Sequence, residues 1–223
     1  MKINEQYHNL NLLENVTYEF LGRDGETHEE TEPILVEHMM DVYVNERLTM
    51  KLVCIPQHLT ELVLGRLFTE GIISSAEDVE QIYICEFGKR ARVILSKNKS
   101  GQSHEENEDY VAPTPTCCTG NRVLNDYFIT DQPMTPVTPV PWKKQWIFDL
   151  ADCFSQTWAT HSCFLACDGE LLFQCEDIGR HNALDKSIGY ALRHNIDLKK
   201  CVVYSSGRIP TDMAIKAIRA GIP

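Results

Sequence analysis

A chain of 223 residues that is 43% hydrophobic and 24% charged can bury a real core, as one larger domain or two small ones. Its 32 acidic and 21 basic residues leave a net charge of -11, which opposes nonspecific attraction to nucleic acid and to anionic membranes. No apolar run reaches about 18 residues and no apolar leader follows Met1, so a cytoplasmic protein without membrane contact is expected.

Residues 1 to 15 carry no clear period and are expected to be loosely held. A β-prone run from Val16 to Leu21 precedes the turn Arg23-Asp24-Gly25 and the acidic stretch Glu26 to Glu32. Strands are predicted at Asp41 to Val44 and Leu48 to Ile55, joined at Asn45-Glu46. In the second, Leu48, Met50, Leu52 and Cys54 alternate with Thr49 and Lys51 as in a half-buried strand. Leu59, Leu62, Val63, Leu67 and Phe68 have helical spacing, and Gly71 is a natural stop. A second hairpin is expected at Ile82 to Cys85 and Arg92 to Leu95, turning at Gly88-Lys89. The polar segment from Ser96 to Thr116 is expected to be a mobile loop leading to Cys117 and Cys118, with a short helix from Val123 to Ile129.

Pro133, Pro136, Pro139 and Pro141 mark a linker at 131–141. It divides a strand-rich N-terminal subdomain (1–130, with a cysteine loop at about 96–122) from an α/β core (142–223). Trp142, Trp146, Leu150, Phe154 and Trp158 recur every four residues, the core stripe of a long amphipathic helix. Phe164 to Cys167 and Leu171 to Cys175 flank Asp168-Gly169, a strong hairpin signal. A helix opening at Arg180, a buried strand Val202 to Tyr204 and a helix from Thr211 to Ala220 complete the core. Strands alternating with helices imply a three-layer α/β fold, with right-handed crossovers if the strands are parallel.

Nine scattered cysteines in a cytosolic protein should be thiols. Cys54, Cys85, Cys153, Cys163, Cys167, Cys175 and Cys201 lie in apolar strands or helices and read as small buried hydrophobes. Cys117 and Cys118 stand in a polar Pro- and Thr-rich segment near Arg122, a setting that permits a reactive thiolate.

The stretch from Glu176 to Lys186 carries the densest polar cluster. A strand runs into two carboxylates, a turn at Gly179, and a helix start bearing Arg180, His181, Asn182, Asp185 and Lys186. Helix N-termini favour anions, and Arg180 and Lys186 would add to a phosphate site. His181 with Asp185, and Asn182 with Lys186, are spaced as i,i+4 pairs. The loop Ser205-Ser206-Gly207-Arg208 follows the next strand and could share the pocket. Zinc is not expected: the zinc nucleoside deaminases, whose order of elements is similar, need His-x-Glu and Pro-Cys-x-x-Cys. Here Ala183 stands two places after His181, and 205–210 contain no cysteine.

Several of these motifs occur together in one known family. Glu46-Arg47-Leu48-Thr49, the run Glu61 to Ile73, Asp177-Ile178-Gly179-Arg180-His181-Asn182-Ala183 with Asp185-Lys186, and Ser206-Gly207-Arg208 resemble the formate dehydrogenase accessory sulfurtransferases (FdhD/NarQ). The likeness continues through Lys216-Ala217 to Arg219-Ala220-Gly221-Ile222-Pro223. It implies a homodimer with a cytidine-deaminase-like core lacking zinc. It also implies persulfide sulfur taken from a cysteine desulfurase and given to bis-molybdopterin guanine dinucleotide for the formate dehydrogenase catalytic subunit. GDP would be a binding analogue of that substrate.

By position, Cys117 or Cys118 would carry the sulfur. Asp177, Gly179, Arg180, His181, Asn182, Asp185, Lys186, Ser206, Gly207, Arg208 and His161 would hold the nucleotide end. The family's Cys-Gly-x-Cys-Gly is here Cys117-Cys118-Thr119-Gly120-Asn121, which leaves the choice between the two thiols open. That change also admits a cofactor-binding chaperone without sulfur transfer. Thr157-Trp158-Ala159-Thr160-His161 replaces the family's Thr-Gly-Gly-x-His. Family members continue beyond the position of Pro223, so further C-terminal strands are expected to be missing from this chain.

Overall fold

The computed structural model describes residues 1–8, 10–96, 113–114, 138–152 and 160–223. Cys117, Cys118, Cys153, Phe154, Trp158, the predicted helix at 123–129, most of the predicted loop at 96–116 and most of the Pro-rich linker lie outside them.

Six strands form a mixed sheet in the order β1-β6-β7-β4-β5-β8. These are β1 (Lys2–Glu5), β4 (His38–Val44), β5 (Arg47–Cys54), β6 (Val79–Ile84), β7 (Arg90–Leu95) and the two-residue β8 (Pro113–Thr114). The β4–β5 hairpin turns at Asn45 and Glu46, both at positive φ (47° and 66°), as a tight primed turn requires. The Asn45 side chain accepts from the Leu95 backbone N–H at 3.0 Å, so the turn is also tied to β7. The N-terminal residues are not loose. β1 pairs in parallel with β6, Arg193 binds Glu5 at 3.0 Å, and the Tyr7 hydroxyl accepts from the first N–H of the next helix at 3.2 Å. An edge strand that buries little apolar surface shows no hydrophobic period, and a parallel partner 79 residues away (Lys2 to Gln81) leaves no local trace.

β2 (Leu13–Leu21) and β3 (Thr27–Leu35) make a separate two-stranded hairpin, so the acidic stretch after Gly25 is a strand. That strand was hidden because both faces of the ribbon are solvated, which removes the alternation that marks a half-buried strand.

Helix α1 (Leu59–Thr69) ends where Gly71 takes φ 78° and the Ile72 N–H returns to the Leu67 carbonyl, a glycine cap. Its apolar stripe was legible. In the structure, however, Thr60, Glu61, Arg66 and Thr69 are buried as well, because the sheet covers one side and helix α3 (Arg180–Arg193) the other. One core lies between α1 and the six-stranded sheet.

A second sheet, in the order β10-β9-β11, contains β9 (His161–Cys167), β10 (Glu170–Asp177) and β11 (Cys201–Ser205), with β9 antiparallel to both neighbours. Asp168 and Gly169 make the predicted hairpin turn with φ 51° and 85°. Side chains alternate across β9. Cys163 and Leu165 join a core with α3 and α4 (Thr211–Arg219), while Phe164 and Ala166 pack with Leu150 of α2 (Lys144–Asp152).

The aromatic stripe predicted for α2 is not a core stripe over the described residues. Trp142 and Phe148 are each 52% exposed and Leu150 alone in the helix is buried. Trp146 instead covers Gly169, where a side chain would collide with its indole. The chain is thus mixed α/β, with four α-helices among the described residues, none long and apolar enough to cross a membrane.

Candidate functional site

The polar residues at the start of α3 were expected to pair with one another along the helix. They instead reach other elements. Asp177, at the end of β10, bonds the Gly179 N–H at 3.1 Å and the Asn182 amide at 2.9 Å, and its other oxygen pairs with Lys186 at 2.7 Å. Asn182 also donates to the Val53 carbonyl at 2.7 Å, and Lys186 to the Glu176 carbonyl at 3.0 Å, while the Ile55 N–H donates to Asp177 at 3.3 Å. The end of β5 is therefore clamped to the β10–α3 junction. Lys186, expected at a ligand phosphate, has no solvent exposure and is neutralised inside the protein.

Asp185 lies on the inner face, with Lys216 Nζ at 2.5 Å, Arg66 Nη1 at 3.5 Å and the Thr69 hydroxyl at 2.9 Å. Arg66 in turn pairs with Glu70 at 2.8 Å. Four charges, two of each sign, are thus shut between α1, α3 and α4.

His181 is 5% exposed and its Nε2 lies 2.8 Å from Asp212 Oδ2 on α4. Burial, reinforced by Lys216 and opposed by Asp212, holds the imidazole below the usual histidine range. In the neutral ring Nε2–H then donates to Asp212, which leaves Nδ1 as an acceptor; it is buried and has no partner. Arg180 Nε is likewise buried without a partner. Two consecutive residues therefore present one unmet acceptor and one unmet donor, and buried polar atoms are seldom left so.

The rim of this position is formed by the loop after β11. The Ser206 N–H donates to the Ser162 carbonyl at 3.1 Å, and the Ser162 N–H donates to Ser206 Oγ at 2.9 Å, which docks the loop on β9. A side chain at Gly207 would meet His161 Nδ1 at 3.0 Å and Arg180 Cβ at 3.3 Å, so the glycine keeps the approach between them open. His161 is half-buried and held below the usual range by burial and by Arg180. Arg208 is exposed. Of the expected residues, His161, Arg180, Gly207 and Ser206 thus come together at the surface, whereas Asp177, Asn182, Asp185 and Lys186 form the support beneath.

Asp212 was missed from the sequence. An acid in the first turn of a helix ordinarily reads as a charge matched to the helix dipole, and only the tertiary fold sets it against His181.

The thiols in the described part are poor nucleophiles where they are buried. Desolvation pushes Cys54 and Cys175 up to about 12, Cys201 up to about 12 and Cys163 upward too. Cys85 and Cys167, expected in the core, are only half-buried because each sits at a strand end beside a turn. Among the described residues no three His, Cys, Asp or Glu side chains gather as metal ligands.

The lowered His181 value predicts acid sensitivity. Its folded value lies below the unfolded value of about 6.5, so stability is present above that pH and is lost as pH falls through the folded value. From about pH 7.5 to about pH 5.5 the urea midpoint of the native protein should therefore fall more steeply than that of His181→Gln. Parallel profiles would move the sensitivity to other groups.

Comparison with known proteins gives one consistent answer. Residues 35–223 match the FdhD/NarQ family. The sulfur carrier protein FdhD of Bacillus pumilus is 32% identical over 210 residues, covering 90% of this chain and 78% of the relative. That of Listeria monocytogenes is 29% identical over 198 residues, covering 84% and 74%. A crystal structure of a protein described as a formate dehydrogenase accessory protein from Desulfotalea psychrophila superposes with a TM-score of 0.72 at 25% identity, over 96% of this chain and 82% of that one.

Proposed function

The chain belongs to the FdhD/NarQ family, and we propose that it carries sulfur during maturation of formate dehydrogenase, the role for which its relatives are named. The thiolate of Cys117 or Cys118 attacks the outer sulfur of a persulfide on a cysteine desulfurase. The S–S bond of the donor breaks, the donor cysteine leaves as thiolate, and the carrier holds the persulfide. The carrier S–S bond then breaks, Cys117 or Cys118 leaves as thiolate, and the outer sulfur passes as sulfide to bis-molybdopterin guanine dinucleotide, the bound substrate, whose molybdenum supplies the two electrons, before that cofactor enters the dehydrogenase.

The observation that carries this reading is the pair of unmet polar atoms on Arg180 and His181, beside a glycine that keeps the approach clear. A guanine nucleotide suits this place, since it offers both donors and acceptors and carries phosphates that a guanidinium can hold. His161, Ser206 and Arg208 would complete the rim, with Asp177, Asn182, Asp185 and Lys186 fixing the helix behind it. The raised values of Cys54, Cys175 and Cys201 favour a carrier thiol in the polar Cys117-Cys118 segment. In the same reading β9 to β11, with helices on both faces, form a deaminase-like layered core.

The two parts of the proposal are tested separately. Incubation with a cysteine desulfurase and cysteine should add the mass of one sulfur atom to the peptide holding Cys117 and Cys118. An unmodified peptide would leave the chaperone reading in its place. Arg180→Ala should weaken GDP binding about tenfold with the fold intact. Unchanged affinity would remove the nucleotide from this site.

A further inference from the structure

Two pairs of cysteines stand opposite one another across the three-stranded sheet. Register sets Cys175 of β10 against Cys163 of β9, and Cys167 of β9 against Cys201 of β11. Residues paired in register point to the same side of a sheet, and all four thiols belong to the face packed on α3 and α4. None of the four is the proposed sulfur carrier, and none belongs to the rim formed by His161, Arg180, Ser206 and Gly207.

The pairs differ in access. Cys163 and Cys175 are 0% and 3% exposed, and the Cys175 thiol is engaged by the Ala183 carbonyl at 3.2 Å and the Ser187 hydroxyl at 3.6 Å. Cys167, by contrast, is half-buried as the last residue of β9, beside the exposed turn Asp168-Gly169. Cys201, the first residue of β11, is buried just behind the exposed Lys199 and Lys200, and its thiol lies within hydrogen-bonding reach of the Cys167 sulfur. Burial first, and then Cys167 itself, push the Cys201 thiol up to about 12, so Cys167 is the group that meets a dissolved oxidant first.

Paired residues of antiparallel strands have Cα atoms about 4.5 or 5.5 Å apart, and both spacings lie within the roughly 4.4–6.8 Å that a disulfide spans. The adjustment still needed falls where the chain can give. β11 is an edge strand, and Cys201 follows the short 3-10 turn Leu198–Lys200. The pair closes the end of the sheet away from the site. β11 runs from Cys201 to Ser205, so about 13 Å of strand separates it from the loop at Ser206 and Gly207.

We propose that Cys167 and Cys201 are a redox pair that hydrogen peroxide converts to a reversible disulfide, stapling β11 to β9. The Cys167 thiolate attacks a peroxide oxygen and the O–O bond breaks. Cys167 is left as a sulfenic acid, and the departing hydroxide takes up a proton to become water. The Cys201 sulfur then attacks the Cys167 sulfur. The S–S bond forms, the S–O bond breaks, and the hydroxyl leaves as water with the Cys201 proton. Two electrons have then passed from the two thiols to the peroxide. Contact within the fold makes this second step intramolecular, which offsets the weak nucleophilicity of a buried thiol. Condensation also holds Cys167 short of the irreversible sulfinic acid. The reaction uses neither Cys117 nor Cys118 and is independent of sulfur transfer.

Hydrogen peroxide treatment of the native full chain, followed by alkylation and peptide mass mapping without reductant, tests it. A peptide joining Cys167 to Cys201, two hydrogens lighter than the separate thiols, should form and should disappear with dithiothreitol. Cys163 and Cys175 should stay reduced. The bond closes a long loop over β10 and α3, so the oxidised protein should melt several degrees higher and lose that gain on reduction. Cys167→Ser, at a half-buried position, should abolish both changes, whereas Cys85→Ser, also half-buried, should keep them. Cys167 recovered as sulfinic acid, joined to another cysteine or still reduced would overturn the proposal. So would a cross-link that leaves the melting temperature unchanged, or a Cys167→Ser protein that gains as much on oxidation as the native one. No desulfurase is present, so failure here leaves the sulfur-carrier reading intact.

Discussion

Asp185→Asn should cost about 3–5 kcal/mol of folding stability and lower the melting temperature by roughly 10 °C. The carboxylate has no solvent exposure and faces Lys216 at 2.5 Å and Arg66 at 3.5 Å. Asparagine keeps its volume and its bond to the Thr69 hydroxyl but removes the charge. Among the ion pairs of the described residues, Arg66 would then keep Glu70 at 2.8 Å, and Lys216 would lose its carboxylate partner. Burial already holds the Lys216 amino group below the usual lysine range, with Asp185 the main influence against it. Without Asp185 the amino group should give up its proton and remain as an unpaired buried amine. Joining Asp185→Asn to Lys216→Met should recover more than half of the loss, because an uncharged pair avoids the desolvation of both ions. A single variant that melts with the native protein would show that the network contributes nothing. GDP binding should fall with stability, since the same helix carries Arg180 and His181.

Gly65→Ala and Gly189→Ala should each destabilise by about 3 kcal/mol or more, a sign opposite to that expected from helix propensity. In an open helix, alanine in place of glycine stabilises by up to about 1 kcal/mol. Here α1 and α3 cross with their backbones in contact. A Cβ on Gly65 would fall on the carbonyl oxygen of Asp185, and one on Gly189 on that of Glu61. No side chain can rotate to relieve either clash, so the helices must separate. Separation stretches the bonds that bridge the same two helices, from Arg66 and Thr69 to Asp185 and from Arg193 to Glu61 at 2.6 Å. Thermal melts followed by circular dichroism decide the sign. A raised melting temperature for either alanine would exclude the close crossing.

Chain position and local chemistry alone determined much of the outline. Asn45-Glu46 and Asp168-Gly169 marked two hairpins, because a tight turn needs residues that tolerate positive φ. Gly71 marked the end of α1, and the polar run from Glu176 to Lys186 marked the junction that organises the site. The family, too, was legible there, since residues 35–223 match it. These signals are short-range: a turn, a cap or a motif is complete within a few residues.

The tertiary structure decided which charges face inward. In the sequence, Asp185 and Lys186 look like the polar side of a surface helix. In the fold, α3 lies between α1 and the β9–β11 sheet, with α4 beside it, so both residues are buried and find partners 31 and 9 residues away, Lys216 and Asp177. The same holds for His181, whose acid comes from α4, and for β1, whose partner is β6. Periodicity reports how much of a helix or strand is apolar. Which opposite charge lies across a packed interface depends on how distant elements dock, and this chain settles that through the glycine crossing of α1 and α3 and the ions enclosed around it.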